Sequence, residues 1–151
     1  LNWNLDINID EPFEERLSEE WLRQVVEQVM IAEGIDYPAE LSLLITGDET
    51  VQELNRGYRG IDRTTDVLAF AFQDDDDFPA LPDGAVQLGE VIISCPQATQ
   101  QSEEQEHSLA REMAVLTIHG VLHLLGYDHE SDEEEQVMKT REAEILAKLM
   151  D

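Results

Sequence analysis

Apolar residues recur along this chain in two rhythms, and the switches between them mark out its elements. Leu5, Ile7 and Ile9 alternate with Asp6 and Asn8, the period of two expected of a half-buried strand. Ser18 can cap the free amides of a helix start. Trp21, Leu22, Val25, Val29 and Met30 follow it as an apolar stripe at helical spacing. That helix is expected to run to about Glu33 and to close at Gly34. Leu41 to Thr46 reads as a second strand, after which Gly47 and Asp48 open a short helix through Val51, Leu54 and Tyr58. Val67 to Phe72 reads as a third strand with Leu68, Phe70 and Phe72 on one face, and Leu88 to Ser94 as a fourth that hinges on Gly89.

From about Pro96 onward the pattern is helical, and a segment through Leu109, Met113 and Leu116 predicts a long helix buried on one side. Ser131 with Glu134 three residues later forms a capping box. It opens a last helix in which Val137, Met138, Ile145, Leu146 and Leu149 are expected to face inward. The order β-α-β-α-β-β-α-α predicts an α+β fold: a single domain over residues 1–151, with a small mixed four-stranded sheet packed by about four to five helices. Between the last two strands, Gln73 to Gln87 holds the run Asp74 to Asp77, two prolines and Gly84. The run lacks the alternating ligands and downstream Glu of a calcium loop, and reads as a solvated connection.

Charge changes the picture. With 35 Asp and Glu against 9 Lys and Arg, the formal net charge is −26, a balance that repels polyanions at low salt. Nucleic-acid affinity is dominated by phosphate neutralisation, so the sum argues against such a partner. Its distribution matters more. Arg56, Arg59 and Arg63 fall within eight positions, and exposed charges farther off than about 10 Å are largely screened at 0.1 M salt. A local basic patch beside a divalent cation can therefore still hold a phosphate. The single cysteine, Cys95, has no internal disulfide partner and is expected to be a small core residue in a reducing cytosol. Leu1 to Pro12 carries acidic residues where a signal peptide would be basic, and no apolar run approaches the length of a bilayer span. The expected location is cytoplasmic, with no membrane partner.

The chemistry is concentrated in His119-Gly-Val-Leu-His123-Leu-Leu-Gly126-Tyr-Asp-His129. Residues four apart on a helix share a face, so His119 and His123 can aim two imidazoles at one point. Gly126 can adopt positive φ and stop the helix. His129 then approaches the same point from the side. Three neutral imidazoles with a fourth position free are a common catalytic zinc arrangement. Metzincin peptidases share this spacing but carry Glu after the first histidine as general base. Here that residue is Gly120, which argues against peptide hydrolysis.

Other candidates lie upstream. Arg59 sits in a polar connection where functional groups are commonly displayed; it could grip a phosphate bidentately, or pair on the surface with a carboxylate. Asp62 and Asp66 could orient arginines or cap turns. Glu90 is a proton acceptor if it reaches the metal, and otherwise a solvent-facing strand residue. Asp128 could fix an imidazole tautomer or serve the turn. His107, outside the frame, reads as surface.

These motifs together resemble the YbeY family of bacterial endoribonucleases and rRNA maturation factors. The histidine frame is similar to that family's H-G-x-L-H-L-x-G-Y-D-H. Asn55, Tyr58, Arg59, Asp62, Thr65, Asp66, Val67, Leu68 and Phe70 resemble its N-x-x-Y-R-x-x-D-x-x-T-D-V-L-S-F, and Leu88 to Ser94 its L-G-D-I-x-I-S strand. The likeness spans about Asn55 to His129; Ala69, Ala71 and Glu90 depart from the family's Ser, frequent Pro and Asp. The resemblance implies one zinc ion on His119, His123 and His129, an essential Arg59, and single-stranded RNA as substrate. It also implies roles in maturing the 3′ end of 16S rRNA and in ribosome quality control, with ribosomal proteins among the partners. The expected reaction is metal-assisted phosphodiester hydrolysis, with either water or an RNA 2′-hydroxyl as nucleophile. Two rivals stand beside it: a metzincin-like hydrolase of another substrate, and a non-catalytic ribosome-biogenesis factor stabilised by its metal.

Overall fold

In the computed structural model, which describes residues 3–72 and 84–150, both rhythms become layers. The Asp74 to Asp77 run lies outside the described residues. Four strands, β1 (Trp3–Ile9), β2 (Ala39–Thr46), β3 (Val67–Ala71) and β4 (Val86–Ser94), form one sheet in the order β1-β2-β4-β3. The pairs β1–β2 and β2–β4 are parallel, and β3 joins β4 antiparallel, with Leu68 opposite Ile92 and Phe70 opposite Glu90. Strand β3 is therefore an edge. The sheet is mixed and four-stranded, as expected.

Side chains alternate across the sheet. Leu5, Ile7, Leu41, Leu43, Ile45, Val91 and Ile93 enter the main core, while Leu68 and Ile92 join Val51 in a smaller core on the other face. Helices α1 (Glu19–Ala32), α3 (Cys95–Glu104), α4 (Leu109–Leu124) and α5 (Asp132–Met150) gather on the main-core side; α2 (Asp48–Arg59) covers the smaller one. Ser18 caps α1 by accepting from the Trp21 amide, as its position predicts. A short 3-10 helix, Glu11–Arg16, is added. Cys95 is fully buried, in keeping with a core role.

Glycine sets one feature of the sheet that matters for the site. The register of β2 against β4 shifts between Glu40 and Leu41, where Leu88 is the extra residue beside Gly89. Gly89 has φ 138°, and a Cβ there would lie 2.0 Å from the Phe70 carbonyl oxygen. Only glycine lets β3 approach this closely.

Three expectations need correction. The helical stretch after Pro96 is two helices, because Glu106 turns left-handed at φ 56° and Ser108 starts a new helix by accepting from the Arg111 amide at 3.1 Å. No Gly or Pro marks that break. His107 is not a surface residue: its Nε2 lies 2.6 Å from the carboxylate of buried Glu112 in that same turn. Val137 is 56 % exposed, whereas the rest of the expected stripe of α5, Met138, Ile145, Leu146 and Leu149, does meet the core.

Candidate metal centre and its cavity

Helix α4 is buried on most sides, and it brings His119 and His123 out beside the free edge of β3. The helix stops as the sequence predicts. Gly126 takes φ 104°, its amide donates to the His123 carbonyl, and the Tyr127 amide donates to the Leu122 carbonyl at 3.1 Å. These are the paired bonds of a glycine C-cap. The chain then returns so that His129 faces the other two rings, with centroids 5.1 Å from His123 and 5.9 Å from His119. One ring nitrogen from each residue lies within 4.8 Å of the others.

That set fits a single metal ion. A tetrahedral zinc bonded at about 2.0–2.1 Å would place its ligand nitrogens about 3.4 Å apart, which small rotations of three partly exposed rings can reach. The lone pairs are also available. An ionised carboxylate can only accept, so Glu142 Oε1, 2.7 Å from His119 Nδ1, holds the ring hydrogen there and leaves Nε2 free to face the cluster. Burial, reinforced by the neighbouring His119 and His129, holds the His123 imidazole below its ordinary pKa and so neutral. His129 is the exposed member.

The return loop is anchored from behind. Tyr127 donates its hydroxyl to Glu33 at 2.7 Å, and Arg141 of α5 donates to the same carboxylate and to the Ala32 carbonyl at 2.8 Å. Burial and the Glu33 bond push the Tyr127 pKa up, and Glu33 likewise raises that of Arg141. Asp128 serves the turn: its carboxylate accepts from the His129 amide at 2.7 Å, while the His129 ring nitrogen is 3.6 Å away.

A cavity of about 380 Å³ opens on the three imidazoles. Its other walls are β3, from Val67 to Phe70, and the tip of α2, Tyr58 and Arg59. Gly60, left-handed at φ 71°, ends α2 directly after Arg59. Asn55 is buried beneath this tip and donates to the Arg63 carbonyl at 2.9 Å. Asp48 accepts from Thr64 and from Ser94 of β4, and Asp66 caps the start of β3 through the Val67 amide at 2.8 Å. The polar connection is thereby fixed to both flanking elements.

Arg59 is exposed, and among the described residues it makes no hydrogen bond or ion pair. Of the three clustered arginines it alone lines the cavity; Arg56 lies 3.9 Å from Asp62 on the surface. Glu90 is an exposed strand residue and does not line the cavity. Position 120 explains itself: a Cβ on Gly120 would come within 2.5 Å of Val91 on β4. That side of α4 is pressed to the sheet, so a glutamate has no room.

Three contributors escaped the sequence reading. Glu142 stands 23 residues after His119 on another helix, and no local spacing links them. The Glu33–Tyr127–Arg141 anchor joins three separate elements. Tyr58 and Phe70 gave a weaker clue: aromatic residues flanking a polar connection.

Comparisons with known proteins agree with this architecture. The model of the family described as Endoribonuclease YbeY matches residues 5–150. A protein named endoribonuclease YbeY from Dehalococcoides mccartyi strain CBDB1 is 43 % identical over 146 residues, covering 91 % of this chain and 88 % of its own. One of the same name from Moorella thermoacetica is 46 % identical over 129 residues, covering 83 % of each. Another, from Roseiflexus sp. strain RS-1, is 44 % identical over 147 residues, covering 96 % of this chain and 92 % of its own. Among solved structures, the solution structure of TM1509 from Thermotoga maritima superposes with a TM-score of 0.63 over 96 % of this chain and 88 % of that one. At 23 % identity it speaks for the fold alone.

Proposed function

Because this chain belongs to the YbeY endoribonuclease family, we propose that it is a metal-dependent endoribonuclease cutting single-stranded RNA. Its cellular task on this reading is maturation of the 3′ end of 16S rRNA and ribosome quality control, in the cytoplasm and in contact with ribosomal proteins. Among the described residues no helix is long and apolar enough to cross a membrane.

The observation that carries the reading is one cavity lined both by three convergent imidazoles and by an arginine with no partner among the described residues. His119, His123 and His129 would hold a single zinc ion. Bound there, the ion supplies Lewis acidity toward a phosphoryl oxygen and makes water more acidic. Arg59 would grip the phosphate bidentately and neutralise charge that builds up on it during reaction. Glu142 would keep the His119 tautomer fixed throughout. None of the described lining residues is a carboxylate, so the proton of the attacking group goes elsewhere than to a glutamate beside the first histidine. Product ends distinguish the two nucleophiles: a 2′,3′-cyclic phosphate with a 5′-hydroxyl marks attack by the 2′-hydroxyl, and a 5′-phosphate with a free 3′-hydroxyl marks attack by water. The same missing glutamate counts against a metzincin-like peptidase.

Metal analysis of wild type, His123→Ala and Arg59→Ala, followed by RNA cleavage on the same samples, tests the proposal. Wild type should carry about one equivalent of metal and cut single-stranded RNA. His123→Ala should lose both. Arg59→Ala should keep the metal and lose cleavage by about 100- to 1,000-fold, the scale of removing a donor to transition-state charge. Undiminished cleavage by His123→Ala would refute the metal-dependent reading.

A further inference from the structure

The cavity has a wall that neither the metal nor Arg59 accounts for. Tyr58 is 74 % exposed, the most exposed large apolar side chain among the described residues, and it sits at the C-terminal tip of α2. Its ring leans on that of Phe70, with centroids 5.2 Å apart and planes inclined by 49°. Phe70 is fixed from below. It packs against the smaller core of Val51, Leu68 and Ile92, and its carbonyl lies against Gly89, where no side chain fits. Burial of Tyr58 contributes little to stability at such exposure. What remains is an aromatic face, supported by a second ring, held open toward solvent on the same cavity as Arg59 and the imidazoles.

We propose that Tyr58, backed by Phe70, is the stacking platform for one nucleobase of the RNA strand, adjacent to the phosphate held by Arg59. The inference rests on the nuclease reading above and adds a base subsite to it. Every base has an apolar π-face, so an exposed ring binds bases with little sequence preference. Bases in a duplex are already stacked on their neighbours, and only an unpaired one can be turned onto a protein ring. The platform thus selects for single strands by physical means. It also offers a way round the net charge of −26: stacking attracts the neutral part of the nucleotide, where the acidic surface would repel its phosphates. Tyr58 and Arg59 both line this one cavity, so one nucleotide can meet both, its base on the ring and its phosphate on the guanidinium.

The test uses the full-length metal-loaded protein and a single-stranded oligoribonucleotide of about ten nucleotides, within the range one such site covers. Tyr58→Ala should raise KM by about 5- to 150-fold, the loss expected for one stacked base. Tyr58→Phe should remain close to wild type, and melting temperatures should match because the residue is exposed. Making successive nucleotides abasic should reproduce the loss at one position only. At that position the Tyr58→Ala and abasic effects should fail to add, as coupled partners do. A Tyr58→Trp variant should show fluorescence quenched by the single strand and not by a duplex of the same sequence. An unchanged KM in Tyr58→Ala, or full additivity at every position, overturns the platform. Should wild type cleave no RNA at all, the nuclease reading fails separately. The base subsite is then decided by the Tyr58→Trp signal, where quenching sustains it and a flat response removes it.

Discussion

Two of the three imidazoles are held by different forces, and each force has a consequence that can be measured. His119 is oriented by the carboxylate of Glu142 at 2.7 Å, a contact from a different helix. Such outer partners typically change metal affinity by about 10- to 100-fold when removed. Glu142→Ala should therefore weaken metal binding by that factor in chelator competition while leaving the fold intact. Glu142→Gln, which still offers an accepting oxygen, should weaken it less. His123 is governed by burial, which holds its pKa below the ordinary 6.5. On acidification the unfolded chain then takes up its proton first. The contribution of His123 to the stability of the metal-free protein should be complete above about pH 6.5 and be lost as the pH falls from there through the folded-state value. Urea melts of the chelated protein at stepped pH check the sign, and His123→Ala should flatten the trend.

Among elements, the contact between α4 and β4 decides what α4 can carry. Val91 sits where any side chain on residue 120 would go, with its Cγ1 2.5 Å from the position of an added Cβ. Both groups are buried, and a branched valine cannot swing aside. Gly120→Ala should therefore cost about 1–3 kcal/mol, the usual penalty of overpacking, and shift His119 and His123 relative to β3. Combining it with Val91→Ala should recover part of that stability in denaturant melts, since the clash is gone. A peptidase-like glutamate at this position would require moving the helix off the sheet. A similar constraint holds β3, where Gly89 permits the close approach that places Phe70 on the cavity wall.

For the molecule as a whole, the question is how so acidic a body meets a polyanion. The described residues present few cations to the cavity, with Arg59 the one arginine on its wall. Proteins that make six to ten phosphate contacts lose about 1,000- to 100,000-fold in affinity between 50 and 200 mM salt. Here few counterions are released, and screening of the net charge of −26 acts in the opposite sense. RNA affinity should change by less than about fivefold over that range, read as KM against salt. A steep loss would mean that a larger basic surface is used.

Much of this protein was set by short-range pattern. The period of two gave β1, the stripe from Trp21 to Met30 gave α1, and the histidine frame with Gly126 placed three imidazoles on one corner. Spacing along a helix and the φ of a glycine are local properties, so the chain itself states them. The break at Glu106 carries no Gly or Pro and is marked only by the Ser108 cap that follows it, and the exposure of Val137 depends on how α5 packs. Tertiary structure alone decided which distant groups meet: Glu142 with His119, Val91 with Gly120, and the edge of β3 with the tip of α2. Those meetings depend on strand order and helix packing, which sum contacts over the entire chain and leave no mark at any single position.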